Sequence, residues 1–488
     1  MTTTTETSKP MDEGSTRKAI VDTTHTNRHD QSTDPYYLRN PIRTLTLLFL
    51  AWKAILFPII ANCPGLGYDT STNLLAVSSP LVAFDGDGSA TWVDSLLSII
   101  DSSSSGIWNF VRWDAIYFVR VAERGYLFEQ EWAWGYGWTG SLRFLGSAFA
   151  NPNGDVPLST IAFSGIAVSH ISHFLSALVL HALTRSLFGH ETQSQKAFCL
   201  ISAALHIISP AGAFLSAPYG ESLFSLLNFT GFYIYSSALL AENAARRARR
   251  DVFFLLAGIL FATATTIRGN GIISGCLFAY DALQGGVQFL NNGLSIDLIR
   301  RTGFIVLGGS IVALGSILPQ YIAYTEYCVA TTRPWCGRLL PSVYSWVQVH
   351  YWNNGFLRYW TVSNLPLFIL AAPVLAAMLY SSFRALTGRL GPSHIDHVSI
   401  TKMSTSQSAV LRLAIAQGIL AVITLTTLHI QIINRIASGY PVWYWYLATS
   451  AWASSKPLGS RIFATAVQGM AMYALIQAVL YGSFLPPA

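Results

Sequence analysis

Apolar runs of membrane length constrain this chain more than any other feature. Leu45–Ile60, Ile161–Leu183, Ala197–Ala217, Leu223–Leu240, Phe304–Tyr324, Leu365–Phe383, Val410–Ile433 and Ile462–Leu485 each approach roughly twenty residues with almost no charge. Backbone crossing hydrocarbon must satisfy its own N–H and C=O groups, which leaves helices or a closed barrel. These runs are apolar on all faces and lack the alternation of barrel strands. The chain therefore reads as an all-α, polytopic helical membrane protein. Its mean hydropathy of +0.41 and its 11% of charged residues agree.

The net charge of +6 does not point to nucleic acid, because the basic residues sit in short segments between the runs and set orientation. They cluster at Arg17, Lys18, Arg28, Arg39 and Arg43, at Arg246-Arg247 with Arg249-Arg250, at Arg300-Arg301, and around Arg384, Arg389 and Lys402. All four clusters can face the cytoplasm if the block Val252–Leu283 crosses twice or re-enters. Its middle, Arg268-Gly269-Asn270-Gly271, has turn chemistry. This predicts roughly ten crossings, with both termini cytoplasmic. Residues 1–40, rich in Thr, Ser and charge, read as a disordered cytoplasmic tail. Residues 41–488 read as one multi-span domain whose first span stays as a signal anchor. Residues 63–160 form its large first lumenal loop.

The cysteines Cys63, Cys199, Cys276, Cys328 and Cys336 show no metal-ligand spacing; Cys328 and Cys336 share one lumenal loop and could pair. The sequon Asn228-Phe229-Thr230 falls inside a span and should be silent. There is no internal repeat, P-loop or dinucleotide fingerprint. Every unusual polar motif lies on the far side of the charge map, so the active face is expected to be lumenal.

The first such motif is Arg112-Trp113-Asp114, continuing through Gly125-Tyr126 to Glu129-Gln130. Ionisable groups beside a bilayer are costly and usually functional. Asp114 opens a segment of helical spacing, where the macrodipole keeps a carboxylate ionised and suited to act as a base. An ion pair with Arg112 or Arg120 is the plainer reading. Glu129 and Gln130 can hydrogen-bond sugar hydroxyls; Trp132, Trp134 and Trp138 could stack on a sugar or lie in the interfacial belt. Glu221 follows Ser209-Pro210-Ala211 and Ser216-Ala217-Pro218-Tyr219 and needs a partner. Arg268 with Asn270 suits a lipid phosphate, or else snorkels. Gln348, Asn353 and Arg358 stand in an aromatic run, and His429 closes the Val410 span ahead of Tyr440-Pro441-Val442-Trp443-Tyr444-Trp445.

Taken in order, these segments resemble the GPI mannosyltransferase 2 family. The resemblance rests on Arg112-Trp113-Asp114 with Tyr117-Phe118 and Gly125-Tyr126; Ser209-Pro210-Ala211 with Tyr219 and Glu221-Ser222; Arg268 with Asn270-Gly271; Tyr351-Trp352-Asn353 with Gly355-Phe356-Leu357-Arg358; and the Pro441 region. Gly269 stands where a serine is expected, Asn354 where a small apolar residue is expected, and Glu131–Trp138 lacks the usual pattern. The resemblance implies a lumenal endoplasmic reticulum enzyme of GT-C architecture. Dolichyl-phosphate mannose would be the donor and the first mannose of the GPI precursor the acceptor, joined α1,6 with inversion. It implies no divalent metal or other cofactor. In fungi the family is associated with a small membrane subunit, a candidate partner here. On this reading Asp114 is the base and Arg268, then Arg358, meets the donor phosphate. Glu129, Gln130, Tyr219, Glu221, Asn270, Asn353 and His429 are the sugar and acceptor contacts. Two alternatives stay open: another lumenal polyprenyl-phosphate-sugar glycosyltransferase, or a transporter or lipid scramblase with a midplane site at the Arg268–Gly271 break.

Overall fold

The computed structural model describes residues 34–63, 104–148, 156–329, 333–391, 404–452 and 457–486, with short pieces at 2–3, 71–72 and 75. Most of the 1–40 tail, and the Asp85-Gly86-Asp87-Gly88 piece of the first lumenal segment, lie outside them. Every regular element among the described residues is helical. In chain order the principal helices are α1 (Pro41–Ala61), α2 (Asp114–Arg124), α3 (Tyr136–Ser147), α4 (Leu158–Phe188), α5 (Gln193–Ile207), α6 (Glu221–Asn243) and α7 (Arg247–Ile267). There follow α8 (Gly275–Asn292), α9 (Ile296–Cys328), α10 (Val343–His350), α11 (Leu365–Leu386), α12 (Thr405–Thr427), α13 (Val442–Trp452) and α14 (Pro457–Gly482).

Eight of these are long and apolar enough to cross a membrane: α1, α4, α6, α7, α9, α11, α12 and α14. Local chemistry starts several of them. Ser404 caps α12 reciprocally with Gln407, and Ser295 caps α9 through the Leu298 N–H. α7 and α9 cross closely because small residues meet there: a Cβ on Gly258 would stand 2.7 Å from the Gly308 carbonyl oxygen. Block 252–283 forms two antiparallel helices, α7 and α8, joined by the 3-10 turn Gly269–Ser274. Their ends recruit charged and polar flanks beyond the apolar run.

Two expected spans are shorter than their apolar runs. The helix of Ala197–Ala217 stops at Ile207, and that of Val410–Ile433 stops at Thr427. The helices nearest the two ends of the chain do not match the expected placement of both termini on one side. Lys196, opening α5, pairs with Asp34 ahead of α1 at 2.6 Å. Gly482, closing α14, packs on Cys63 just beyond the other end of α1. The start of α1 and the end of α14 therefore lie at opposite ends of the bundle. The additional helix before α14 is α13, which lies within the expected far-side segment His429–Lys456. With 11 residues it is too short to register as a span.

At the end of the bundle opposite the start of α1, a second small core forms from Trp132, Tyr327, Trp335, Val343 and Val347. Cys328 and Cys336 are joined in a disulfide beside it. Asn228 is buried, giving an amide hydrogen to the Gly439 carbonyl at 2.9 Å and accepting from the Ser274 hydroxyl at 2.8 Å.

Candidate active site

Two short helices leave the upper half of the bundle to loops and single helical turns. α5 ends where α13 begins: His206 meets the Ser176 hydroxyl at 2.6 Å and the Tyr444 hydroxyl at 3.2 Å, level with the middle of α4. Ser209–Gly220 and Leu428–Pro441 fill the space above. Non-helical backbone at membrane depth is tolerated where protein buries it or where it lines a cavity. A cavity of about 440 Å³ opens here.

Asp114 is the only acidic side chain on its wall among the described residues. It enters α2 directly after Trp113, whose φ of 55° lies in the left-handed region. Such strain costs about 1–3 kcal/mol and persists where surrounding structure enforces it, often at functional sites. Here Trp113 packs on Phe484 at 5.3 Å. The Asp114 side chain keeps 39% of its surface exposed.

Glu221, the first residue of α6, is fully buried behind this wall. Its Oε1 accepts from Arg268 Nη1 at 2.6 Å and from Arg435 Nε at 3.0 Å, with Arg435 Nη2 at 2.9 Å. Arg435 stands in the single turn Ile433–Ile436, and its Nη1 and Nη2 each lie 3.3 Å from Asp114 Oδ2. Its guanidinium lies over Phe214 at 4.2 Å and Tyr219 at 5.0 Å. Burial disfavours that charge, and the two carboxylates of Glu221 and Asp114 offset the penalty. The result is a continuous series, Arg268–Glu221–Arg435–Asp114, formally neutral, with three of its members on the cavity wall. Gly135 presses on the end of α7 beside Arg268; a Cβ there would fall 1.8 Å from the Ile267 carbonyl oxygen.

Trp134, Trp138, Tyr344, Gln348, Trp352 and Asn354 complete much of the wall. Asn354 donates to Gln348 Oε1 at 2.5 Å, while its own Oδ1 is buried without a hydrogen-bond partner among the described residues. His429 also lines the cavity, stacked on Tyr359 at 4.7 Å and donating to the Trp352 carbonyl at 2.9 Å. Among the described residues no group of three His, Cys, Asp or Glu side chains converges as metal ligands would.

Of the residues expected from sequence, Asp114, Arg268, Asn270 and His429 line the cavity and Glu221 supports it. Tyr219 lies beneath Arg435, its hydroxyl donating to the Arg112 carbonyl at 3.1 Å, so it is a floor and not a contact. Glu129 is drawn away: Trp335 and Trp346 donate indole hydrogens to its carboxylate, and the Tyr351 hydroxyl reaches it at 3.5 Å. Gln130 and Asn353 do not line the cavity; the adjacent Asn354 does. Arg358 is exposed, outside the wall, and makes no ion pair among the described residues. Its place as second cation is taken by Arg435, which the sequence reading missed. The available signal was a lone charge within Ile430–Ile436, the same anomaly that drew attention to Asp114. The ion pairs considered for Asp114 are also replaced: Arg120 pairs with Glu123 at 2.8 Å, and Arg112 donates to Asn109 at 2.5 Å. Arg358→Gln should therefore leave transfer within about twofold of wild type, as for an ordinary surface substitution.

The fold and site together define an integral-membrane enzyme that sets one carboxylate and two guanidiniums around a partly open cavity. The family model for mannosyltransferase (PIG-V) matches residues 45–488, and the chain belongs to that family. It is 49% identical to the GPI mannosyltransferase 2 of Aspergillus oryzae, over 92% of this chain and 96% of that one. The corresponding protein of Aspergillus fumigatus is 47% identical, over 92% and 94% respectively. Among solved structures, the archaeal oligosaccharyltransferase of Archaeoglobus fulgidus gives a TM-score of 0.37 at 13% identity, over 90% of this chain and 56% of that one.

Proposed function

We propose that this enzyme acts in GPI-anchor biosynthesis, moving mannose from dolichyl-phosphate mannose to the first mannose of the anchor precursor. The linkage formed is α1,6, and the active face is the lumenal side of the endoplasmic reticulum membrane. The observation that carries this reading is Asp114, a partly exposed carboxylate and the only acidic group among the described residues on a cavity wall that also holds Arg268 and Arg435. An α product from a β-linked donor requires inversion in one displacement. The acceptor oxygen bonds to the mannosyl anomeric carbon, its proton passes to Asp114, and the electron pair of the breaking C–O bond leaves with dolichyl phosphate. No general acid is required for that leaving group. What it needs is fixed positive charge, and Arg268 supplies some.

Trp134 and Trp352 offer aromatic faces to sugar rings. Asn270, Asn354 and His429 offer hydrogen-bonding groups. The Arg268–Gly271 break lines the cavity on either reading, so what weighs against a transporter or scramblase is membership of the mannosyltransferase family. A strain lacking this gene should accumulate a one-mannose GPI intermediate. Its microsomes should regain transfer from labelled dolichyl-phosphate mannose when the full chain is restored. Accumulation of a different intermediate would overturn the acceptor assignment.

A further inference from the structure

Arg435 is placed to do more than neutralise Glu221. One edge of its guanidinium, Nε and Nη2, is held on Glu221 Oε1 at 3.0 and 2.9 Å, and its face rests on Phe214 and Tyr219. These contacts fix the group on the cavity wall, with Nη1 and the remaining hydrogen of Nη2 facing Asp114. There the two contacts with Asp114 Oδ2 are longer, 3.3 Å each, and that carboxylate is 39% exposed whereas Glu221 is fully buried. Glu221 is the permanent partner and Asp114 the loosely held one.

The charge balance of the transfer matters here. Before reaction Asp114 carries one negative charge and the donor phosphodiester another. Afterwards Asp114 is a neutral acid and dolichyl phosphate, a monoester, has gained the charge that Asp114 lost. Negative charge thus travels across the cavity from the carboxylate to the phosphate. Resting on the reaction given above, we propose that Arg435 is the fixed cation shared by both ends of that movement: it pairs with Asp114 before transfer and with the leaving phosphate as Asp114 takes up the proton. A guanidinium suits this, since its forked nitrogens can face two acceptors without the group moving. A preorganised charge needs no reorganisation as the reaction proceeds.

The test uses the purified full-length enzyme and binding of labelled dolichyl phosphate, so it does not depend on turnover. Asp114→Asn mimics the protonated acid. In the Arg435 background it should release the terminal nitrogens and tighten dolichyl phosphate binding about tenfold, the worth of one charge-assisted hydrogen bond. With Arg435→Gln the same Asp114→Asn change should alter affinity by less than about twofold. Equal tightening in both backgrounds would mean a general field effect and would overturn the proposal, as would no tightening in either. If Arg435→Gln does not fold, Arg435→Lys decides. A lysine point charge held at Glu221 cannot fork, so tightening should fall to about threefold, and an undiminished tenfold effect would overturn the proposal. Transfer activity of Asp114→Asn itself bears only on the base assignment, so the two failures are distinguishable.

Discussion

Asp114→Asn should lower mannosyl transfer by about 100- to 10,000-fold, the usual worth of a positioned general base. The side chain is partly exposed on a cavity wall, and its amide analogue has nearly the same volume, so packing around it changes little. Its one ion pair among the described residues is with Arg435, which keeps Glu221 as a partner. The variant should therefore insert, fold and resist heat as the wild type does, while failing to remove the one-mannose intermediate from a null strain. Measured in microsomes with labelled dolichyl-phosphate mannose, the loss should fall on turnover more than on donor KM, since an ionised base acts in the transition state. A variant with normal turnover would remove Asp114 from the chemistry and leave it a structural ion pair.

Glu221→Ala carries the second large expectation, and it is primarily one of stability. Glu221 is fully buried, while the side chains of Arg268 and Arg435 are 16% and 18% exposed. Breaking a buried ion pair by removing one partner typically costs about 3–5 kcal/mol, because the remaining charge is left without compensation. Here two guanidiniums lose the oxygen they share. The detergent-purified variant should unfold at a clearly lower temperature and transfer mannose poorly. Glu221→Asp should recover part of both, since a shorter carboxylate keeps the charge but not both distances. Unchanged thermal stability in Glu221→Ala would show that the arginines are solvated or paired elsewhere, and the support assigned to Glu221 would fail.

How much of the site was legible in sequence follows from the range of the interactions involved. Asp114 and Arg268 announce themselves locally, as charges against apolar or aromatic neighbours, and both reach the cavity. Glu129 announced itself in the same way. It was misassigned because its partners Trp335 and Trp346 lie 206 and 217 residues on. Arg358 sat in a promising aromatic run but on the wrong side of it. Asn353 missed by one position: Asn353 takes a φ of 52°, and it is the next residue, Asn354, that lines the wall. Arg435 was overlooked although its pairings with Asp114 and Glu221, 321 and 214 residues away, complete the site.

The apolar runs by themselves determined an all-helical membrane protein, because the cost of unsatisfied backbone in hydrocarbon depends only on local composition and length. The same local reasoning located the turn at Arg268–Gly271 and the charge anomaly at Asp114. Only the tertiary structure decided which charges meet, because each pairing joins helices whose register and separation no local pattern encodes. It also decided at which end of the bundle α14 finishes. That depended on α13, a helix of 11 residues that starts within the bundle, where the surrounding helices bury backbone that lipid would not tolerate.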